Sequence, residues 1–256
     1  MLAPSQIYFT CSFDDGDISD LRLADLMGKH NIRSTFYIPQ KCDLVNKNLS
    51  NQQINSLPDF IEIGGHTMTH PILTNIDNNQ AKGEIKDCKS WLEDVTGKKI
   101  NAFCPPTGRF NENHIAMIEN SGYKLVRTVE MMQTKKIDLK QSSTVAIIPT
   151  SIQVYNHTFI SYIKNILKRF NINLIGELIK VYDKDWLQMA RNQMKTLISL
   201  NENNKNSISY FHLWGHSWEI EKYNLWKDLE MFFRQISEER KMICCTNSEL
   251  VNLIRA

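Results

Sequence analysis

Apolar positions along this 256-residue chain gather into short runs, each followed by a longer stretch with helical spacing. The runs Ile7 to Phe13, Thr35 to Ile38, Phe60 to Ile63 and Ile100 to Cys104 predict strands. Between and after them, Leu21 to His30, Asp77 to Thr96 and Asn111 to Asn120 carry the i, i+3, i+4 pattern of helices. Lys124 to Thr128, Val145 to Ile148, Ile208 to Trp214 and Met242 to Thr246 continue the alternation toward the C-terminus. Such β-α-β-α order predicts a parallel sheet, open or closed into a barrel. The helix after Ile76 is the sharpest case. Asp77 and Gln80 form a capping box, Ala81, Ile85, Cys88, Leu92 and Val95 share one face, and Gly97 ends it. Gly122 is placed to close a second, thinner helix whose apolar face is Ile115 and Ile118, with Met117 beside them. The polar stretch Asn201 to Asn206 predicts a loop, and nothing has the composition of a linker, so residues 1–256 are expected to form one domain.

Composition narrows the class. Lys and Arg number 30 against 28 Asp and Glu, a formal charge of +2 with no basic block of the kind that tracks a phosphate backbone, so nucleic acid is not an expected partner. The six cysteines lack C-x-x-C spacing, and most lie in apolar runs such as Met242-Ile243-Cys244-Cys245, which predicts reduced core thiols. No run approaches the roughly 18 apolar residues of a membrane span. No basic region followed by an apolar stretch opens the chain, so a soluble, cytoplasmic protein is expected.

Four segments carry candidate chemistry. Asp14-Asp15-Gly16 follows the first strand, and a turn at Gly16 lets both carboxylates face one cavity; alone, it would equally suit a solvated turn or a helix cap. His66 and His70 leave the strand Phe60 to Ile63, where Gly64-Gly65 and Pro71 preclude a long helix, so the pair is expected on a loop or single turn. In parallel α/β folds sites gather at strand C-terminal ends, where both pairs fall. Together they can offer one metal ion a hard oxygen and imidazoles and still spare a carboxylate for proton transfer, the inventory of a metal-dependent hydrolase. Cys104-Pro105-Pro106-Thr107-Gly108 is a stiff turn whose amide near Thr107 could face an oxyanion. Finally, Tyr210, His212, Trp214 and His216 share one face of a strand, and an imidazole emerging there could act as a general acid or simply be packed among the rings.

In this order the four segments resemble the polysaccharide deacetylase family of carbohydrate esterases, the group with the nodulation-protein-type chitooligosaccharide deacetylase domain. The resemblance runs from about residue 7 to about residue 250 and includes Thr35-Phe36-Tyr37-Ile38-Pro39, Glu62 to Thr67 and Gly122-Tyr123. It implies a distorted (β/α) barrel of about seven strands. It also implies Asp14 as catalytic base, Asp15, His66 and His70 as ligands of a divalent metal, zinc first with cobalt or nickel also suited, and His216 rather than His212 as general acid. Pro106, Thr107, Trp214 and His212 would surround the acyl group and sugar. The implied reaction removes N-acetyl or O-acetyl groups from an amino-sugar glycan or its precursor. An allantoinase-like amide hydrolase on the same barrel and a catalytically silent glycan-binding module are the alternatives. Two departures stand out. Many members place Arg where Cys104 stands and an aromatic where Thr107 stands, which would leave Asp14 without its usual support, and Asp185-Trp186 matches a further Asp-Trp motif only loosely.

Overall fold

The computed structural model describes residues 6–134, 145–203 and 209–255. In chain order the elements are β1 (Ile7–Asp14), α1 (Asp20–Lys29), β2 (Ser34–Ile38), α2 (Asn51–Asn55), β3 (Ile61–Gly65), α3 (Asn78–Thr96), β4 (Ala102–Phe103), α4 (Glu112–Asn120), β5 (Leu125–Arg127), β6 (Ala146–Ile148) and β7 (Ile152–Gln153). There follow α5 (Phe159–Lys168), α6 (Leu174–Val181), α7 (Trp186–Asn203), β8 (Ser209–His216), α8 (Ser217–Lys222), α9 (Trp226–Glu238), β9 (Met242–Cys244) and α10 (Asn247–Arg255).

The strands are parallel throughout and lie in the order β6-β5-β4-β3-β2-β1-β8-β7, with β9 paired to the first half of β1. β6 and β7 end this path on opposite sides yet are separated only by Pro149, Thr150 and Ser151. One stretch of chain therefore pairs with β5 at its start and with β8 at its end. That switch curls the sheet into a distorted barrel of seven staves, counting β6 and β7 as one and β9 as a short supplement. A strand that changes partner at Pro149 is natural, because proline cannot donate to a ladder.

Parity along β1 explains how the barrel is filled. Ile7, Phe9, Cys11 and Phe13 belong to the apolar layer between sheet and helices, where Phe9 meets Phe232 of α9 edge-on at 6.1 Å. Their alternates point the other way and are polar. Thr10 donates to Asn247 Oδ1 (2.8 Å), whose amide donates to Tyr37 Oη (2.7 Å), and Ser12 Oγ meets His212 Nε2 at 2.9 Å. The lumen is thus a hydrogen-bonded polar column, which tolerates burial because its members satisfy one another. At the C-terminal rim, β1 ends on Asp14 beside Tyr37 of β2 and His216 of β8, and β3 ends on Gly65 beside Ile38 and Phe103. Gly64 and Gly65 are required there, since a Cβ would fall 2.6 Å from the Tyr37 ring and 2.3 Å from Tyr123 Oη.

Most expected elements are present. Asp77 caps α3 with Gln80 returning the bond, Gly97 closes it with a φ of 65°, and Ala81, Ile85, Cys88 and Leu92 are buried, with Val95 packed at the margin. All six cysteines are free, five of them buried. The expected loop at Asn201 to Asn206 differs in its first part: residues 201–203 finish α7, and the remainder lies outside the described residues. Helices α2 and α5 to α10 and strand β7 are additions to the pattern read from the sequence.

Candidate active site

Loops leaving β1, β3, β4 and β8 meet over a cavity of about 320 Å³, within the range of small-ligand sites. Asp14, Asp15, His66, His70, Thr107, Trp214 and His216 all line it. Four of the eight non-glycine residues with positive φ among the described residues stand in these loops: Asp15 (80°), Thr67 (69°), His70 (58°) and Thr107 (57°). Backbone held in this sparsely populated region costs free energy and persists where a site demands a particular side-chain direction.

The turn after β1 divides the two acids. Asp15 faces the histidines, with His70 Nε2 at 3.1 Å and His66 Nε2 at 3.5 Å from its Oδ1. The three ligand atoms lie within 4.8 Å of one another. His66 Nδ1 is 2.6 Å from the Cys104 carbonyl oxygen, so that nitrogen carries the proton and Nε2 is left with a lone pair toward the cavity. Asp15 Oδ2 accepts from the Trp218 indole (2.9 Å), whereas the buried Oδ1 has no well-formed hydrogen bond. A buried carboxylate oxygen left without a hydrogen bond between two imidazoles fits a divalent cation, and the indole below it supplies the outer bond that orients such ligands. Burial alone would raise the Asp15 carboxyl, but the facing His66 and His70 and the charge of His216 hold it well below the carboxylate range. Burial likewise works against a charged His70, yet Asp15 and Cys42 together raise it to about 10. The Asp15 carboxylate thus favours a proton on His70, and a cation bound here would compete with that proton.

Asp14 turns the other way, into the lumen, onto Arg127. Both Asp14 carboxylate oxygens accept from Arg127 Nη2, and the guanidinium, fully buried at the end of β5, lies between the Tyr37 ring (5.2 Å) and the Trp214 ring (4.9 Å). The support expected to be missing at position 104 is therefore supplied from the next strand. Cys104 itself sits with Sγ 3.8 Å from Asp14 Oδ2, and burial raises its thiol well above the ordinary value, keeping it a neutral donor. Arg127 escaped the sequence reading, although the signal was present: an arginine inside the apolar run Lys124 to Thr128 needs a buried partner.

His216 ends β8 and places Nδ1 2.5 Å from Glu219 Oε2, one turn into α8, and Nε2 3.8 Å from Asp15 Oδ2. Burial lowers its affinity for a proton, but Glu219, Asp15 and Asp14 outweigh burial and the net shift is upward. Gln153 donates to Glu219 Oε2 (3.0 Å) and meets His157 Nε2 through its own oxygen (2.7 Å), which extends the network to the cavity wall. Glu219 and Trp218 lie just beyond the strand segment singled out in the sequence, and their contacts give them roles.

Not every expected site residue reaches the cavity. His212 is fully buried deeper in the lumen, bonded to Ser12, and both burial and the nearby Arg127 charge lower its proton affinity well below the ordinary value. It cannot touch substrate or deliver a proton. Pro106 is buried beneath the turn and does not line the cavity, while Thr107 is exposed at its edge. The Gly108 and Arg109 amides bond back to Pro105 and Pro106, and among the described residues no backbone carbonyl accepts the Thr107 amide. Asp185 caps α7 through the Gln188 amide (2.8 Å) and Trp186 packs against Phe232, so this pair serves the core.

Residues 3–126 match the model described as polysaccharide deacetylase. The likeness to the polysaccharide deacetylase family is thus carried by the first half of the chain. Among curated relatives of this family, the peptidoglycan-N-acetylmuramic acid deacetylase PdaC of Bacillus subtilis is 26% identical over 112 residues, covering 43% of this chain and 23% of that protein. The chain spans less than half the length of the curated relatives it matches. The second half is covered by structural likeness: a structure from Mycobacterium smegmatis assigned to the polysaccharide deacetylases superposes with a TM-score of 0.69 at 13% identity, over 100% of this chain and 92% of that one. A family 4 carbohydrate esterase pseudoenzyme from Bacillus anthracis also shares the fold, with a TM-score of 0.54 at 14% identity over 97% and 66% of the two chains.

Proposed function

We propose that this protein is a metal-dependent N-deacetylase of an acetylated amino-sugar glycan or glycan precursor. The observation that carries the proposal is Asp15 Oδ1, buried without a well-formed hydrogen bond between His66 Nε2 and His70 Nε2, beside a second carboxylate locked on Arg127. One acid is arranged for a cation and its neighbour for a proton. Asp15, His66 and His70 would hold a divalent ion, with zinc the first choice and cobalt or nickel also compatible with one oxygen and two imidazoles. That ion, when bound, supplies Lewis acidity, which lowers the pKa of a water and polarises an acyl carbonyl.

The remaining work falls to the chain. Asp14, oriented by Arg127 and the Cys104 thiol, takes the proton of the attacking water at a carboxylate oxygen. The Thr107 amide, on a turn fixed by two prolines, donates to the developing oxyanion. His216 holds a proton at Nε2, sustained by Glu219 at Nδ1, and passes it to the departing amine, which would otherwise leave as a strongly basic anion. A family 4 relative with this fold is a pseudoenzyme, so the fold alone does not decide for activity; the complete set Asp14, Asp15, His66, His70 and His216 supports it.

Acetate release from N-acetylglucosamine oligomers and peptidoglycan, measured on protein of known metal content, tests the reading. Acetate is the expected product. Cleavage of ureides or formamides without acetate would assign an allantoinase-like reaction instead, and stoichiometric metal with no turnover of either would make the protein a silent glycan-binding module. The Asp15 support has its own test. Trp218→Phe keeps the ring and removes the indole donor, so metal affinity in competition with a chelator is expected to fall about 10–100-fold.

A further inference from the structure

Nine large apolar side chains are exposed among the described residues, and five of them fall within the segment of α5, α6 and their connection: Ile160, Leu167, Phe170, Ile172 and Ile179. Phe170 is 89% exposed, and Ile160, Ile172 and Ile179 each exceed 60%. These are not scattered singles of the kind every surface carries. On α5 the outward positions are Ile160, Lys164, Leu167 and Lys168, an i, i+4, i+7, i+8 stripe that interleaves apolar and basic side chains. Phe170 and Ile172 extend from its end, and Ile179 with Lys180 continues the composition on α6.

The opposite face of α5 is anchored. Tyr162 and Ile166 are buried, and Asn165 donates to the Val129 carbonyl (3.0 Å) while accepting from the Met131 amide (3.0 Å). Val129, Met131 and Asn165 all border the catalytic cavity, so α5 is part of its wall and its outward stripe is a fixed surface.

Charge selects the occupant. From Phe159 to Tyr182 the basic residues Lys164, Lys168, Arg169 and Lys180 face a single acid, Glu177, whereas the whole chain carries only +2. Arg169 is paired with Glu130 at 3.5 Å, and the three lysines enter no ion pair among the described residues. A protein partner with an apolar face would be served by the leucine and isoleucines alone; lysines spaced among them suit a surface that is apolar beneath and anionic above. We propose that the α5–α6 surface docks the protein on an anionic lipid bilayer, with Phe170 and Ile172 entering the interfacial layer and Lys164, Lys168 and Lys180 meeting lipid headgroups. The catalytic cavity then stands about one helix thickness, roughly 10 Å, from the membrane surface. This docking is independent of the deacetylase reading and is tested without turnover.

The test is co-sedimentation of the full chain with vesicles of phosphatidylcholine alone or containing phosphatidylglycerol, at low and high salt. Binding to the anionic vesicles is expected, weakening with salt as headgroup attraction is screened. Phe170→Asp with Ile172→Asp should abolish it, and Lys164→Glu with Lys168→Glu should lower partitioning on the order of tenfold or more, with unchanged circular dichroism and thermal unfolding showing intact folds. No binding to anionic vesicles, or equal binding to both compositions, would overturn the proposal. So would light scattering showing a dimer that Phe170→Asp with Ile172→Asp converts to monomer, which would assign the face to a second copy of this chain.

Discussion

Replacing Arg127 with methionine is expected to lower stability by about 3–5 kcal/mol, because it leaves the Asp14 carboxylate buried without its charge partner. Both Asp14 oxygens accept from the guanidinium, Asp14 is almost completely buried, and the nearby Cys104 thiol and His66 imidazole are weaker substitutes. The loss is a property of the pair. Asp14→Asn combined with Arg127→Met removes both charges together, and the double variant is expected to unfold at a higher temperature than Arg127→Met alone. A double-mutant cycle by thermal or denaturant unfolding measures that coupling directly. If Arg127→Met were as stable as the parent, the ion pair would not be what holds Asp14. The Tyr37 and Trp214 rings on either side of the guanidinium make methionine, similar in length and apolar, a fairer replacement than alanine.

The second large effect is on turnover. Asp14→Asn keeps the shape of the side chain but cannot accept a proton, and loss of a positioned general base is expected to reduce acetate release by about 10²–10⁴-fold. Asp14 lies with His66 and Cys104 in a second cluster of possible ligands, but both its oxygens are taken by Arg127, while the proposed metal group is Asp15, His66 and His70, so substitution at position 14 should leave that group intact. An effect on metal content as large as that on turnover would mean that the two acids share one task.

The sequence carried the barrel well, because a parallel sheet covered by helices forces short apolar runs to alternate with helical ones, and β1, β2, β3 and β8 all appear where their runs predict. Asp14, Asp15, His66 and His216 were also visible, since each ends or directly follows a strand at the same rim, and His70 shares the loop that leaves β3 with His66. What the pattern could not show was lateral. Arg127 reaches Asp14 across 113 positions of chain, and Trp218 reaches Asp15 across 203, distances that only barrel closure spans. The departure at Cys104 reads in the sequence as a missing support, because a linear reading assigns a lost contact to the position where it is lost. In the folded barrel the strand next door can supply the same guanidinium. His212 illustrates the converse: parity placed it on the same strand face as Trp214 and His216, but depth along the strand decides who meets substrate, and His212 lies below in the lumen.

The division of labour between the adjacent acids is the central claim, and one paired measurement addresses it: metal bound per chain and acetate released, determined on the same preparations of the parent, Asp14→Asn and Asp15→Asn. The expected result is that Asp14→Asn retains metal and loses turnover, whereas Asp15→Asn loses both. Turnover surviving in Asp14→Asn, or metal retained in full by Asp15→Asn, would contradict it.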